Sequence, residues 1–203
     1  MESGFEALDE FRDAFTRTFG GGAAAHSSTG GIVVDWIESP LGPLLIGATD
    51  EAVCLLEFTE RRRLETQLGM MRRRFTCAIV HGHNEHLALL RRELDDYFEG
   101  RLQQFTVPLV APGTPFQEKV WAALLRIPYG RTLSYEELAH NVDAPGAQRA
   151  VGAANGMNRI AIVIPCHRVI NKNGKLGGYG GLLWRKVALL QLEQGLPFTR
   201  SQG

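Results

Sequence analysis

Ile162-Val163-Ile164-Pro165-Cys166-His167-Arg168-Val169-Ile170 places a thiol, an imidazole and a guanidinium between two runs of β-branched apolar residues. The apolar flanks ask for burial and the polar centre for chemistry. Ile162 to Ile164 predicts a covered strand. Pro165 ends it, because proline has no N–H to give a ladder. Cys166 then stands just past a rigid element, held by packing and facing a cleft. A cysteine reacts as its thiolate, and neighbouring imidazole and cationic groups lower the thiol pKa from about 8.5. His167 and Arg168 supply both kinds of neighbour. The plainer alternative is a buried structural cysteine.

Downstream of this segment, Asn171-Lys172-Asn173-Gly174 is a hairpin-type turn signal. Gly177-Gly178-Tyr179-Gly180-Gly181 reads as a flexible loop whose backbone can approach a ligand closely. Leu182 to Gln194 predicts a closing helix with Gly195 past its end. Glu193 sits in that helix's last turn, where the macrodipole disfavours an acid, so a partner is expected and His167 is the candidate.

Upstream, Ser134-Tyr135-Glu136-Glu137 is a capping box that opens a helix over SYEELAHNV. Asp143-Ala144-Pro145-Gly146 is a turn, and AQRAVGAAN predicts the next helix. Two short helices joined by a glycine-containing turn form a helix-turn-helix, with the second helix as the recognition element. Ala147, Ala150, Gly152, Ala153 and Ala154 leave that helix little side chain with which to read bases, and Arg149 is its one large polar group. Small residues allow close backbone approach, which favours minor-groove contact with little sequence preference. Phe116 to Ile127 predicts a further helix before Pro128-Tyr129-Gly130.

The breaker-rich Ala111-Pro112-Gly113-Thr114-Pro115 separates this mostly helical region from an earlier α/β half. There IVVDWIE, PLLIGAT and AVCLLEF, from Ile32 onward, predict an antiparallel meander. A basic amphipathic helix (Arg61 to Arg74), a strand near Thr76 to Val80, a helix from Asn84 to Glu99 and a strand from Phe105 to Leu109 follow. The fold class is therefore α+β: an N-terminal α/β roll, an antiparallel sheet with helices, then a mostly helical domain containing the helix-turn-helix. The expected divisions are 1–30 (helix and Gly/Ala/Ser linker), 31–112 and 113–203. Residues 4–20 are an amphipathic helix whose string resembles the closing helix-turn-helix segment of AraC-type transcription factors. Tyr97 and Phe98 read as core.

The 203 residues carry 22 basic and 22 acidic side chains. Between Ala144 and Leu192 there is no acid, while Arg149, Arg159, Arg168, Lys172, Lys175, Arg185 and Lys186 all fall there. That asymmetry predicts a polyanion partner around Cys166. Three unevenly spaced cysteines, Cys54, Cys77 and Cys166, argue against a disulfide framework. With no long apolar run and no leader, the expectation is an intracellular protein without membrane contact, cytoplasmic and DNA-associated, or nuclear in a eukaryote. Cys77, His81, His83 and His86 are of zinc-ligand types, but their spacing matches no common structural pattern, so no metal is expected.

Taken together, Pro165 to Val169, Arg149-Ala150-Val151-Gly152 and Ser134-Tyr135 resemble the motifs of the O6-alkylguanine-DNA alkyltransferases. The resemblance spans about Thr114 to Gly195, with a weaker likeness in the α/β half. It implies that Cys166 accepts an alkyl group from guanine O6, and also from thymine O4, while His167 takes the thiol proton through a water and Glu193 holds His167. It further implies that Asn158 braces the turn beside the nucleophile and Tyr135 donates a proton toward the leaving guanine. Tyr135, Val169, Tyr179, Gly180 and Ala161 would line the pocket, and Arg149 would enter the base stack as the nucleotide swings out. Gly180 replaces a hydroxyl residue of some members, and Ala161 replaces a proline, which leaves a roomier pocket. No cofactor is implied, and the partner is double-stranded DNA carrying alkylated guanine, met by a monomer. The rivals are a cysteine hydrolase, a non-catalytic lesion binder and a transcription factor.

Overall fold

A computed structural model describes residues 31–60 and 79–197. The helix expected over 4–20, the linker up to residue 30, the basic helix of 61–74 and the start of the Thr76 to Val80 strand, Cys77 included, lie outside the described residues.

Packing divides the chain into two compact units. The first comprises the described residues up to Leu94 together with Val107–Val110. Its sheet contains β1 (Ile32–Ile37), β2 (Leu44–Ala48), β3 (Val53–Phe58) and β4 (Ile79–His81), in the order β3-β2-β1-β4. β1 to β3 pair antiparallel, with Val34 opposite Gly47 and Ile46 opposite Leu56. Every residue of β2 and β3 is buried, as expected for central, apolar runs. β4 pairs parallel to β1, so the sheet is mixed at that edge and not antiparallel throughout. A parallel neighbour needs a crossover of a dozen or more residues, and the connection 59–78 is long enough.

The predicted Phe105 to Leu109 strand is absent. It reduces to one bridge between Val53 and Leu109, in which Val53 N–H donates to Pro108 and Val110 N–H to Val53. Pro108 has no N–H with which to extend the ladder. Helix α1 (Glu85–Phe98) follows its predicted span within a residue. Its apolar Leu87, Leu90 and Leu94 are buried.

The second unit comprises residues 95–106, including the last turn of α1, and residues from Ala111 onward. The first twelve of these precede the boundary read from the sequence at 112/113. Helix α2 (Pro115–Leu124) opens on a capping box between Thr114 and Gln117, with proline at its first position. Next come β5 (Leu133–Ser134), α3 (Tyr135–Asn141) and α4 (Gln148–Gly156). Ser134 and Glu137 form the predicted capping box of α3. A 3-10 turn (Cys166–Arg168) leads into β6 (Val169–Ile170), which pairs parallel to β5. Helix α5 (Leu183–Glu193) closes the unit.

The strand expected over Ile162 to Ile164 does not form. Ile162 is left-handed (φ 70), and Val163 and Ile164 donate to Ala161 and Ile160, which makes a tight turn. The run is buried, as its composition demands, but coiled into the core. An apolar run reports burial and leaves the backbone shape open.

Candidate active site

Cys166 begins the 3-10 turn immediately after Pro165 and is 6% exposed. Asn158 organises the approach to it. Its amide nitrogen donates to Cys166 Sγ (3.1 Å) and to the Ile164 carbonyl (2.9 Å), while its amide oxygen accepts from Ile160 N–H (3.0 Å). Asn155, on the buried face of α4, donates to the Cys166 carbonyl (3.3 Å). One asparagine thus steadies the thiol's side chain and the other its backbone.

His167 is fully buried, and its Nε2 lies 2.8 Å from Glu193 Oε1. Its other nitrogen, Nδ1, is buried without a hydrogen-bond partner among the described residues. Burial lowers the His167 pKa, against the pull of Glu193, so the imidazole is neutral at pH 7. The carboxylate fixes the tautomer: Nε2 carries the proton and Nδ1 is the acceptor. Cys166 and His167 are consecutive residues of the 3-10 turn, whose side chains point in different directions.

Glu193 is the hub. Besides His167 it accepts from Arg168 Nε (2.9 Å to Oε2) and Nη2 (2.9 Å to Oε1), Gly130 N–H (3.1 Å) and the Tyr97 hydroxyl (2.8 Å). Burial pushes its carboxyl up, and the bonds from His167 and Arg168 outweigh that and hold it at about 2. The anion expected in the last turn of α5 therefore has its partners. Arg168 also donates to the Ile127 carbonyl (2.6 Å).

Tyr135, the first residue of α3, is half-buried between two glycines. A Cβ on Gly152 would meet its ring at 3.7 Å and one on Gly177 at 3.2 Å. Burial first, and Cys166 second, raise its phenol pKa, with an Asn155 hydrogen bond acting the other way. The phenol is a donor through the physiological range. Lys186 is buried, donates to the carbonyls of Val169 (2.6 Å) and Leu176, and has its pKa lowered by burial to about 8.

The structure brings Cys166, His167, Glu193, Asn158 and Tyr135 into one region of the second unit. On α4, Arg149, Ala150 and Ala153 are exposed, and Ala147 and Gly152 are partly so. Tyr179 is half-buried and Gly180 exposed, whereas Ala161 and Val169 are buried at 3% and 0% exposure. Two cavities, of about 460 and 480 Å³, flank β5, and neither is lined by Cys166.

The basic stretch is less of a surface than its composition implies. Arg159, Arg168, Arg185 and Lys186 are buried. Arg159, Arg168 and Lys186 bind the carbonyls of Pro112, Ile127 and Val169, and Arg185 that of Gly181. Lys172 pairs with Glu136. Arg149 and Lys175 remain as exposed cations without a carboxylate partner among the described residues.

Sequence reasoning passed over Tyr97, Gly130, Asn155 and Lys186. For Tyr97 the available signal was a hydroxyl on an apolar helix face, which needs a partner once buried. The described histidines of the first unit go to separate neighbours: His81 to Asp35, His83 to Glu85, and His86 to the Asp50 carbonyl. Among the described residues no three metal-ligand side chains gather.

Residues 115–195 match the family model described as 6-O-methylguanine DNA methyltransferase, DNA binding domain, and residues 32–111 match that of its ribonuclease-like domain. The chain belongs to the 6-O-methylguanine DNA methyltransferase family. A methylated-DNA–protein-cysteine methyltransferase of Mycobacterium leprae is 44% identical over 158 residues, 78% of this chain and 90% of the relative. One from Methanosarcina barkeri is 41% identical over 161 residues, 79% of this chain and 96% of the relative. Among solved structures, Mycobacterium tuberculosis OGT in complex with DNA aligns with a TM-score of 0.69 at 42% identity, over 81% of this chain and 92% of that one. The resemblance carried by Pro165 to Val169 and Arg149 to Gly152 is thus that of the family, and DNA is the partner its DNA-binding domain implies.

Proposed function

We propose that this methyltransferase repairs alkylated guanine in double-stranded DNA by taking the alkyl group onto Cys166. The observation that carries the reading is the His167 arrangement: Nε2 pinned to Glu193 at 2.8 Å, Nδ1 without a partner among the described residues, one residue from the thiol. His167 Nδ1 receives the Cys166 proton through a water, the sulfur attacks the alkyl carbon, and the carbon–O6 bond breaks. The leaving guanine keeps the electron pair and gains a proton from Tyr135. Displacement at saturated carbon needs a soft nucleophile and a stabilised leaving group, and here side chains supply both without a cofactor. The thioether has no bond that water readily cleaves, so each chain acts once. O4-alkylthymine is the same chemistry on a pyrimidine and a second substrate.

A nucleobase inside a duplex cannot reach a thiol that is 6% exposed, so the damaged nucleotide must swing out. Exposed Arg149 on α4 enters the stack in its place, and the small exposed Ala150 and Ala153 let the helix lie close in the minor groove with little sequence preference. Asn158 keeps the sulfur aimed, and Tyr179 and Gly180 border the pocket, with Ala161 and Val169 behind its wall. One chain carries the whole set, so a monomer suffices. No helix of the described residues is long and apolar enough to cross a membrane.

Intact mass before and after mixing with an oligonucleotide containing O6-methylguanine tests this. A gain of about fourteen daltons, one methylene equivalent, should map to Cys166 and vanish in Cys166→Ala. Modification elsewhere, or many lesions processed per chain, overturns it.

A further inference from the structure

We infer that Tyr97 is a positioning residue of the transfer reaction: its hydroxyl binds the same Glu193 oxygen that orients His167 and so sets how strongly that carboxylate draws on the imidazole. The inference rests on the roles of Cys166 and His167 proposed above.

Tyr97 lies in the last turn of α1 and is fully buried. Phe98, Phe105 and Tyr129 pack against its ring at centroid distances of 5.5, 5.4 and 6.0 Å, which fixes the direction of the hydroxyl. The hydroxyl donates to Glu193 Oε1 at 2.8 Å, the same oxygen reached by His167 Nε2 at 2.8 Å and Arg168 Nη2 at 2.9 Å. A carboxylate oxygen has two lone pairs, so three close donors saturate it, and each weakens the oxygen as an acceptor for the others. Of the three, only Tyr97 is a neutral donor that belongs neither to the 3-10 turn nor to its backbone supports. Burial and the nearby Glu193 raise its pKa well above the ordinary phenol value, so it remains a donor wherever the enzyme works.

The charged and titratable groups around this pair are few. Arg168 and Lys186 oppose a positive His167, Glu193 favours it, and Cys166 precedes it in the chain. Glu193 itself faces His167, Arg168, Tyr97 and, farther off, Tyr129. Without the phenol, Oε1 turns its full acceptor strength on His167 and the imidazolium is favoured. The neutral imidazole that accepts the thiol proton is then lost at a higher pH. Tyr97 falls in the stretch 32–111 matched by the ribonuclease-like domain model, so that stretch supplies a group to the chemistry as well as a fold.

The test is Tyr97→Phe in the full chain. Without DNA, the His167 titration is followed by ¹⁵N NMR; with methylated oligonucleotide, single-turnover transfer is followed against pH. The His167 midpoint should rise by about half a pH unit or more, and the acid limb of the rate profile should move with it. Tyr97→Leu should give the same shift with a larger loss of thermal stability. A fall in melting temperature with both pH readouts unmoved assigns Tyr97 a packing role only and overturns the inference. If neither variant folds, the Tyr97 hydroxyl proton of the unaltered protein decides: its resonance should shift as His167 titrates, and an invariant resonance overturns the inference. A parent protein that takes up no alkyl group defeats the reading of Cys166 instead, while the titration still decides Tyr97.

Discussion

Glu193→Gln keeps the shape of the hub and removes its charge, and the structure fixes what that costs. Arg168 loses the anion that compensates its buried guanidinium, and breaking a buried pair from one side costs about 3–5 kcal/mol. The carboxyl's pKa gives an independent route. It falls from 4.5 to about 2 on folding, between two and three pH units, and each unit is worth about 1.4 kcal/mol, so the charge contributes about 3 kcal/mol. The two routes agree. Because the folded pKa is the lower one, this stabilisation is complete above about pH 4.5 and is lost as the pH falls toward 2. Urea unfolding of parent and Glu193→Gln should therefore differ by about 3 kcal/mol at pH 7, and the gap should narrow steadily below pH 4.5. A gap that stays constant from pH 7 to pH 3 would show that shape and not charge is responsible, and the account of the hub would fail.

Gly130 has a positive φ of 70, and a Cβ there would stand 2.9 Å from the Glu193 carbonyl oxygen. Gly130→Ala should lower stability by more than about 1 kcal/mol in thermal melts and slow alkyl transfer together with it. Ser134→Ala removes the side-chain acceptor of the α3 capping box and should cost about 1 kcal/mol by denaturant unfolding, with Thr at the same position restoring most of it. Arg149→Ala should slow transfer from a duplex far more than from the free O6-alkylguanine base, since only the duplex requires extrusion. Equal slowing of both substrates would remove Arg149 from the base stack.

What could be read in the chain depended on the range over which each signal acts. Helix starts are local, so Ser134 with Glu137 placed the opening of α3 correctly, and Gly195, with its φ of 68, marked the end of α5. The placing of Cys166 and His167 in one buried turn was legible because the two are adjacent in the chain. Glu193 followed from an electrostatic misfit at a helix end. The shape of Ile162 to Ile164 was not legible, because burial can be met by a strand or by a coiled turn and composition does not choose between them. The parallel pairing of β4 and the approach of Tyr97 to Glu193 depend on which distant segments meet, and no local pattern encodes that. The cations of 144–192 pointed to a polyanion, and the DNA-binding domain model agrees, but charge counts in one dimension do not say which guanidinium points inward.

The two-residue ladder between β5 and β6 has a consequence for anyone re-engineering this protein. Leu133 and Ser134 run straight into α3, and the turn that carries Cys166 runs straight into Val169 and Ile170. α3 and the Cys166 turn are thus tied through two rungs, and a slip of one rung reverses the side each residue faces. A chimera that borrows a foreign α3 must carry its own strand along and keep that register, or Cys166 will be displaced.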